Sequence, residues 1–394
     1  MRGRKPLCID RFIFPFLVIH AIFPVMWLTA VARNGPVRND WFHLKIVASH
    51  FVAGNWTYLY SIDGHALNPG YFWRYPPFAL YLIAPLAWLP DTEAYALLAL
   101  VEAAALMASV WLLWELEPFG PMRREWLLAI VLSAPALSTV ITGQSSALIM
   151  LCVVTGASLW TRRHLVLACA VLGLLAIKPN WGAVFGLMAV VRGEWKGAAA
   201  MAGVGLLLCL AALPLGLQIW IDFLRTSLAN ADVLLNYEPQ KLITLKGFLE
   251  GMFGKSQLTQ VAWTVMVLGL IATAICAWRA PGSPLRHLGV ALLLAVAANP
   301  YASFYDALVL AVPATVWWAE RHQWRRRPWL IVAMMLAFAW CGEQWMYSWG
   351  AVLRAGGFHW FPRVSLVGPA TAVWLILAAQ QAMQSIPVAS TERP

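Results

Sequence analysis

One apolar run follows another along this chain, at about 12–31, 76–90, 91–114, 126–142, 145–160, 164–177, 180–191, 197–214, 259–278, 287–298, 306–319, 328–341 and 364–382. No other feature constrains the fold as strongly. Of the 394 residues 61% are hydrophobic and only 12% are charged, whereas a soluble domain carries about 25% charged residues. Mean hydropathy is +0.68. These values exclude a soluble globular domain. They predict an all-α polytopic integral membrane protein with about 11–13 transmembrane or re-entrant helices, because a helix satisfies its own backbone groups in lipid. The chain reads as one membrane domain over 1–394.

The basic residues orient the chain. The net charge is +10, and it gathers in short loops at Arg123–Arg124, Arg162–Arg163, Arg192/Lys196, Arg279/Arg286 and Arg321/Arg325–Arg327. Pairs of apolar runs separate them, so all can face the cytoplasm together, as the positive-inside rule requires. That explains the charge without nucleic acid. The N-terminal "RGRK" also belongs inside, but three runs separate it from Arg123. The parity is restored if 76–90, which holds Pro76, Pro77, Pro85 and Pro90, is re-entrant or tilted. The basic start followed by an apolar stretch reads as a retained first helix, since no A-x-A site ends it. The six cysteines form no CxxC pair and imply neither a disulfide framework nor a zinc site.

On the opposite side lie the first long loop, about 32–75, the second, about 215–258, and three polar tips: "TGQSS" at 142–146, "KPN" at 178–180 and "NPYASFYD" at 299–306. The run 164–177 gives roughly 21 Å of helix against a hydrocarbon core of about 30 Å. The tips are therefore recessed, and irregular polar backbone at that depth must line a wet cavity or be buried in protein.

Candidate residues follow. In "VRNDWFHLKIVASHFVAGNWTYLY" at 37–60, Asp40 lies between Asn39 and Trp41, and Phe42, Ile46, Val47 and Phe51 after it share one helical face. Asp40 is either a carboxylate base or the N-cap of a helix lying on the membrane surface. Tyr71, Phe72, Trp73 and Tyr75 surround Arg74. They form an interfacial aromatic belt, or they stack on a sugar or lipid while Arg74 binds phosphate. Lys178 is an ionisable group between apolar runs, costing roughly 2.5–3.5 kcal/mol at the bilayer centre. It either holds an anion or snorkels to water. Gln144, with Ser145 and Ser146, offers neutral hydrogen bonds to sugar hydroxyls or between helices. Asn180 belongs to the Lys178 tip. Asn299, Tyr301, Tyr305 and Asp306 make the third tip, where Asp306 is a second base or a helix cap. No P-loop, nucleophile elbow, GxGxxG or HExxH occurs.

Taken in order, Asp40 with Gly54 and "YLY" at 58–60, "YPPFALYLIAPLAWLP" at 75–90, "GQSSALIMLCVV" at 143–154 and "GLLAIKPNWGAVFGLMAVVRGEWKG" at 173–197 resemble glycosyltransferase family 87, with the GT-C fold. The resemblance covers about 37–200, and 201–394 is the more variable half. It implies an enzyme of the plasma membrane that moves a sugar, mannose first, from a polyprenyl-phosphate carrier to a glycolipid or cell-envelope glycan at the extracytoplasmic face. By the same resemblance Asp40 is the general base. Lys178, Arg74 and Tyr75 would then meet the donor phosphate and lipid. Gln144, Asn180, Asn299, Tyr301, Tyr305 and Asp306 would meet sugar or acceptor. No cofactor or metal is called for. The rival class is a transporter or flippase for lipid-linked sugars, which also uses broken helices and midplane charges.

Overall fold

The computed structural model describes residues 40–55, 59–60, 73, 75–116, 123–233, 242–319 and 365–384. The expected spans at 12–31 and 328–341, Tyr71, Phe72, Arg74 and the side chain of Asp40 lie outside these residues. The described chain is helical: α1 (Asp40–Val52), α2 (Ala79–Ile83), α3 (Asp91–Leu116), α4 (Arg123–Val131), α5 (Ala134–Thr142), α6 (Ser146–Thr161), α7 (Leu165–Gly173), α8 (Pro179–Val191), α9 (Trp195–Ala211), α10 (Leu217–Val233), α11 (Leu245–Phe253), α12 (Gln257–Arg279), α13 (Pro284–Ala298), α14 (Ala311–Ala319) and α15 (Val367–Gln384). The only extended pairing among the described residues is an isolated antiparallel bridge between Leu242 and Ser303.

Among the described residues, Asp91–Leu116, Trp195–Leu215 and Gln257–Arg279 are long and apolar enough to cross a membrane. Their outward faces are apolar. Leu206 and Leu207 on α9, and Leu258, Val261, Val265 and Leu268 on α12, are all more than half exposed. In water such faces would be an aggregation hazard, whereas lipid solvates them.

Several apolar runs are broken by identifiable residues. The run 126–142, expected as one helix, is two. Ser133 ends α4 and caps α5, accepting a hydrogen bond from Ala136 N at 3.3 Å, and Pro135 stands in the first turn. The segment 76–90 holds α2 and a 3₁₀ turn at Ala84–Trp88 that begins beside Pro85, short of the roughly 20 residues a span needs. After α7 the chain tightens to 3₁₀ over Leu174–Ile177. Lys178 then leaves helical geometry at φ −121°, ψ 87°, and Pro179 starts α8. Between α5 and α6 the chain bends by 116°.

The described residues fall into two compact units, those within Met1–Leu151 with Gly205–Tyr237 and those within Cys152–Val204 with Glu238–Pro394. In the first, α1 packs on α2, α3 and the 3₁₀ turn after α2, around Ala48, Leu86 and Ala94. In the second, α13 is the central helix, buried on nearly all sides from Leu285 to Ala297, as expected of a helix apolar all round. It packs against α8, α12, α14 and α15. Small residues bring other helices of this unit close together. A Cβ on Gly173 would lie 2.8 Å from Val204 Cβ, and one on Gly197 would lie 2.6 Å from Cys169 Sγ, the small-residue packing that lipid-embedded helices use.

Candidate functional site

The described candidates gather into two clusters, one in each unit. In the first unit, α1 begins at Asp40, and the next residue, Trp41, is buried. Trp41 lies 5.1 Å from Tyr95, centroid to centroid, and against Gly143. Gly143 has φ +70°, and a Cβ there would sit 2.9 Å from Trp41 Cβ. Two constraints therefore select glycine: the left-handed backbone and the close approach. The "TGQ" tip is thus seated on the start of α1, with Gln144 buried beside it.

Tyr75 joins this tip to the aromatic segment. Its hydroxyl is 3.4 Å from Ser145 Oγ, its ring is 4.9 Å from that of Trp73, and its carbonyl accepts from the Tyr60 hydroxyl at 2.7 Å. The Tyr60 carbonyl in turn accepts from the Thr226 hydroxyl, and the Tyr60 ring meets Phe223 at 5.6 Å. Burial pushes the Tyr60 phenol far above its ordinary range. It remains protonated and acts as a fixed donor.

In the second unit, Lys178 and "NPYASFYD" come together. Lys178 Nζ donates to Asp306 Oδ1 at 2.9 Å. The two side chains are only 15% and 5% exposed. Asp306 Oδ2 accepts from Ser303 N at 3.0 Å. The Tyr305 ring centroid is 6.0 Å from Lys178 Nζ. Asn299, also buried, accepts from Tyr301 N at 2.8 Å and folds the segment into an Asx turn. Asn180 is exposed on the first turn of α8. Lys178 thus faces a carboxylate within the protein. The capping reading of Asp306 holds together with the ion pair.

A second lysine meets the same segment, and the sequence reading passed over it. Lys246, 4% exposed, lies 4.0 Å from Glu250 Oε1, 5.2 Å from the Trp263 ring and 6.0 Å from the Tyr301 ring. Thr244 caps its helix, accepting from Gly247 N at 3.1 Å, and Ile243 N donates to Ala302 O at 2.9 Å. The signal was present as the i,i+4 pair of "LKGFLEG" among apolar residues, but it sat inside a long loop where charge is ordinarily solvated.

The far end of α8 is tied as well. Arg192 Nη1 donates to Trp278 O at 3.0 Å and lies 3.0 Å from His287 Nε2. Its guanidinium stands 5.4 Å from the Trp160 ring. In the sequence Arg192 was one member of a basic loop; in the structure it joins α8 to the start of α13.

Span-length helices with apolar faces, broken hairpins and buried ion pairs define an all-α polytopic membrane protein with a charged, hydrogen-bonding interior. A profile of glycosyltransferase family 87 matches residues 73–303, more than half of the 394 residues. The chain belongs to this family and is a membrane glycosyltransferase. The match takes in Tyr75, Gln144, Lys178, Asn180, Asn299 and Tyr301, as well as Lys246. Asp40 precedes it, and Tyr305 and Asp306 follow it. No curated protein and no solved structure matches the chain.

Proposed function

We propose that the enzyme transfers a sugar, mannose first among the candidates, from a polyprenyl-phosphate carrier to a lipid-linked or cell-envelope glycan, at the extracytoplasmic face of the plasma membrane. The observation that carries this reading is the half-buried ammonium of Lys178, held 2.9 Å from the buried carboxylate of Asp306 between apolar helices. An anion-binding cation at this depth suits a donor whose phosphate is carried by a lipid. The basic loops support the sidedness, because they leave the polar tips on the side opposite the cytoplasm.

The chemistry is a single displacement. The acceptor hydroxyl oxygen attacks the anomeric carbon as the bond from that carbon to the phosphate oxygen breaks, so the anomeric centre inverts. Asp40 takes the hydroxyl proton, an assistance of roughly 10²–10⁴-fold. The electron pair leaves on the phosphate, which departs as a lipid phosphomonoester. Lys178 and Arg74 stabilise that growing charge. Tyr75 meets the donor lipid. Gln144, Asn180, Asn299, Tyr301, Tyr305 and Asp306 supply hydrogen bonds and stacking to sugar and acceptor. Membership of a glycosyltransferase family favours this over the carrier reading.

The test is transfer by purified enzyme in lipid from a panel of polyprenyl-phosphate sugars, with mass analysis of the product. Product from the mannose donor is expected. Product only from a nucleotide sugar, or translocation of the donor without transfer, overturns the proposal.

A further inference from the structure

The chain around Tyr75 is held by a hydroxyl that arrives from elsewhere in the sequence. We propose that Tyr60, itself held by Thr226 of α10, is a positioning residue of the donor site: through the Tyr75 carbonyl it fixes where the Tyr75 ring stands, and so sets the affinity for the lipid-phosphate carrier. The inference rests on the reading of Tyr75 as a contact of the donor lipid.

The sequence creates the need for this hydroxyl. Pro76 and Pro77 follow Tyr75, and neither carries an N–H. A regular helical turn would aim the Ala79 N–H at Tyr75 O, but Ala79 N donates to Pro76 O instead, at 2.9 Å. A carbonyl drawn into the protein must still find a donor, and the Tyr60 hydroxyl supplies one at 2.7 Å. The residue before a proline is confined largely to extended backbone. With its carbonyl fixed as well, Tyr75 has its side-chain direction set. Its ring lies 4.9 Å from that of the buried Trp73, and its hydroxyl lies 3.4 Å from Ser145 Oγ at the "TGQSS" tip.

Tyr60 is anchored in turn from the second long outer loop. The Thr226 hydroxyl donates to the Tyr60 carbonyl, and Phe223, one turn earlier on α10, meets the Tyr60 ring at 5.6 Å. Ile219, Phe223 and Thr226 form the buried face of α10, while Leu217, Ile221 and Leu224 are exposed. That spacing is the one an amphipathic helix needs to brace what lies beneath it. Tyr60 is 1% exposed, too deep to meet a ligand itself. Its effect on binding must therefore pass through Tyr75.

Farnesyl phosphate, a lipid phosphate without a sugar, is the probe, titrated into purified protein in nanodiscs. Tyr75→Ala should weaken its binding about tenfold, the loss of an aromatic contact with the carrier. Tyr60→Phe removes one hydroxyl and should weaken binding about fivefold, the worth of one hydrogen bond. In the Tyr75→Ala background the same change should alter affinity by less than about twofold, since two residues that act through one contact are not additive. Thr226→Val leaves both tyrosines whole and should weaken binding in the same direction, and Thr226→Ser should restore it. This pair carries the test if Tyr60→Phe does not fold. Wild-type affinity in Tyr60→Phe or Thr226→Val, or an equal loss whether or not Tyr75 is present, overturns the positioning role. A loss in Tyr75→Ala then leaves the donor reading standing. Unchanged affinity in Tyr75→Ala overturns the donor-lipid reading of Tyr75, and this inference with it.

Discussion

Lys178 and Asp306, separated by 128 positions in sequence, form a 2.9 Å ion pair that closes one end of the α8–α13 helix pair. Arg192 and His287 meet at 3.0 Å at the other end. Helices of this length put the two clasps roughly 20 Å apart. The helices run antiparallel, since the start of α8 meets the segment after α13, while the end of α8 meets the start of α13. One clasp lies among the candidate residues; the other only holds helices together. Variants at the two ends should therefore behave differently.

Breaking the Lys178–Asp306 pair by Lys178→Met alone should destabilise the protein by about 3–5 kcal/mol, because it leaves a buried carboxylate uncompensated. Lys178→Met with Asp306→Leu should recover most of the loss in stability but no activity. Thermal unfolding in detergent and a transfer assay read the two effects separately. Equal stability of the single and double variants would contradict the pair's burial.

Arg192→Ala removes charge-assisted hydrogen bonding to Trp278 O and should cost about 1.5–3 kcal/mol. Donor KM should stay within twofold of the wild type. Arg192→Lys should restore only part of the stability, since a lysine lacks the planar fork that can face Trp160 and reach Trp278 O together. A large rise in KM in either variant would refute the purely structural role.

Gly143→Ala tests the seat of the "TGQ" tip. The left-handed backbone alone costs about 1–2 kcal/mol for an alanine, and the new Cβ would press on Trp41. The melting temperature and kcat should fall together. Gly186→Ala is the control, because nothing lies within 4 Å of its Cβ position; it should be neutral or slightly stabilising.

Asp40→Asn should lower kcat by about 10²–10⁴-fold with little change in donor KM, the signature of a group acting in the transition state. Transfer at the wild-type rate would remove Asp40 from the chemistry.

Much of the architecture is legible in the amino-acid order. Hydropathy runs mark α3, α6, α7, α8, α9, α12, α13 and α15 to within a few residues, because each stretch states its own preference for an apolar surrounding. The break in 126–142 was legible too, in Ser133 and Pro135, but the apolar count across it concealed two helices. The candidate residues were found the same way, as polar groups interrupting apolar runs. Lys246 escaped because its surroundings in sequence are those of a loop, and Arg192 because a basic loop already explained it.

Composition and periodicity by themselves determined an all-α membrane chain, the placement of its helices and the tips where polar residues collect. They could do so because lipid solvation and helix formation are decided within one turn or one span. Which charges meet was decided only by tertiary structure. Lys178 found Asp306, Thr226 reached the Tyr60 carbonyl across 166 positions, and Gly143 came to rest on Trp41. These pairings depend on how distant helices pack. No local preference encodes that packing, because the energy of an ion pair belongs to two residues and to the burial that both share.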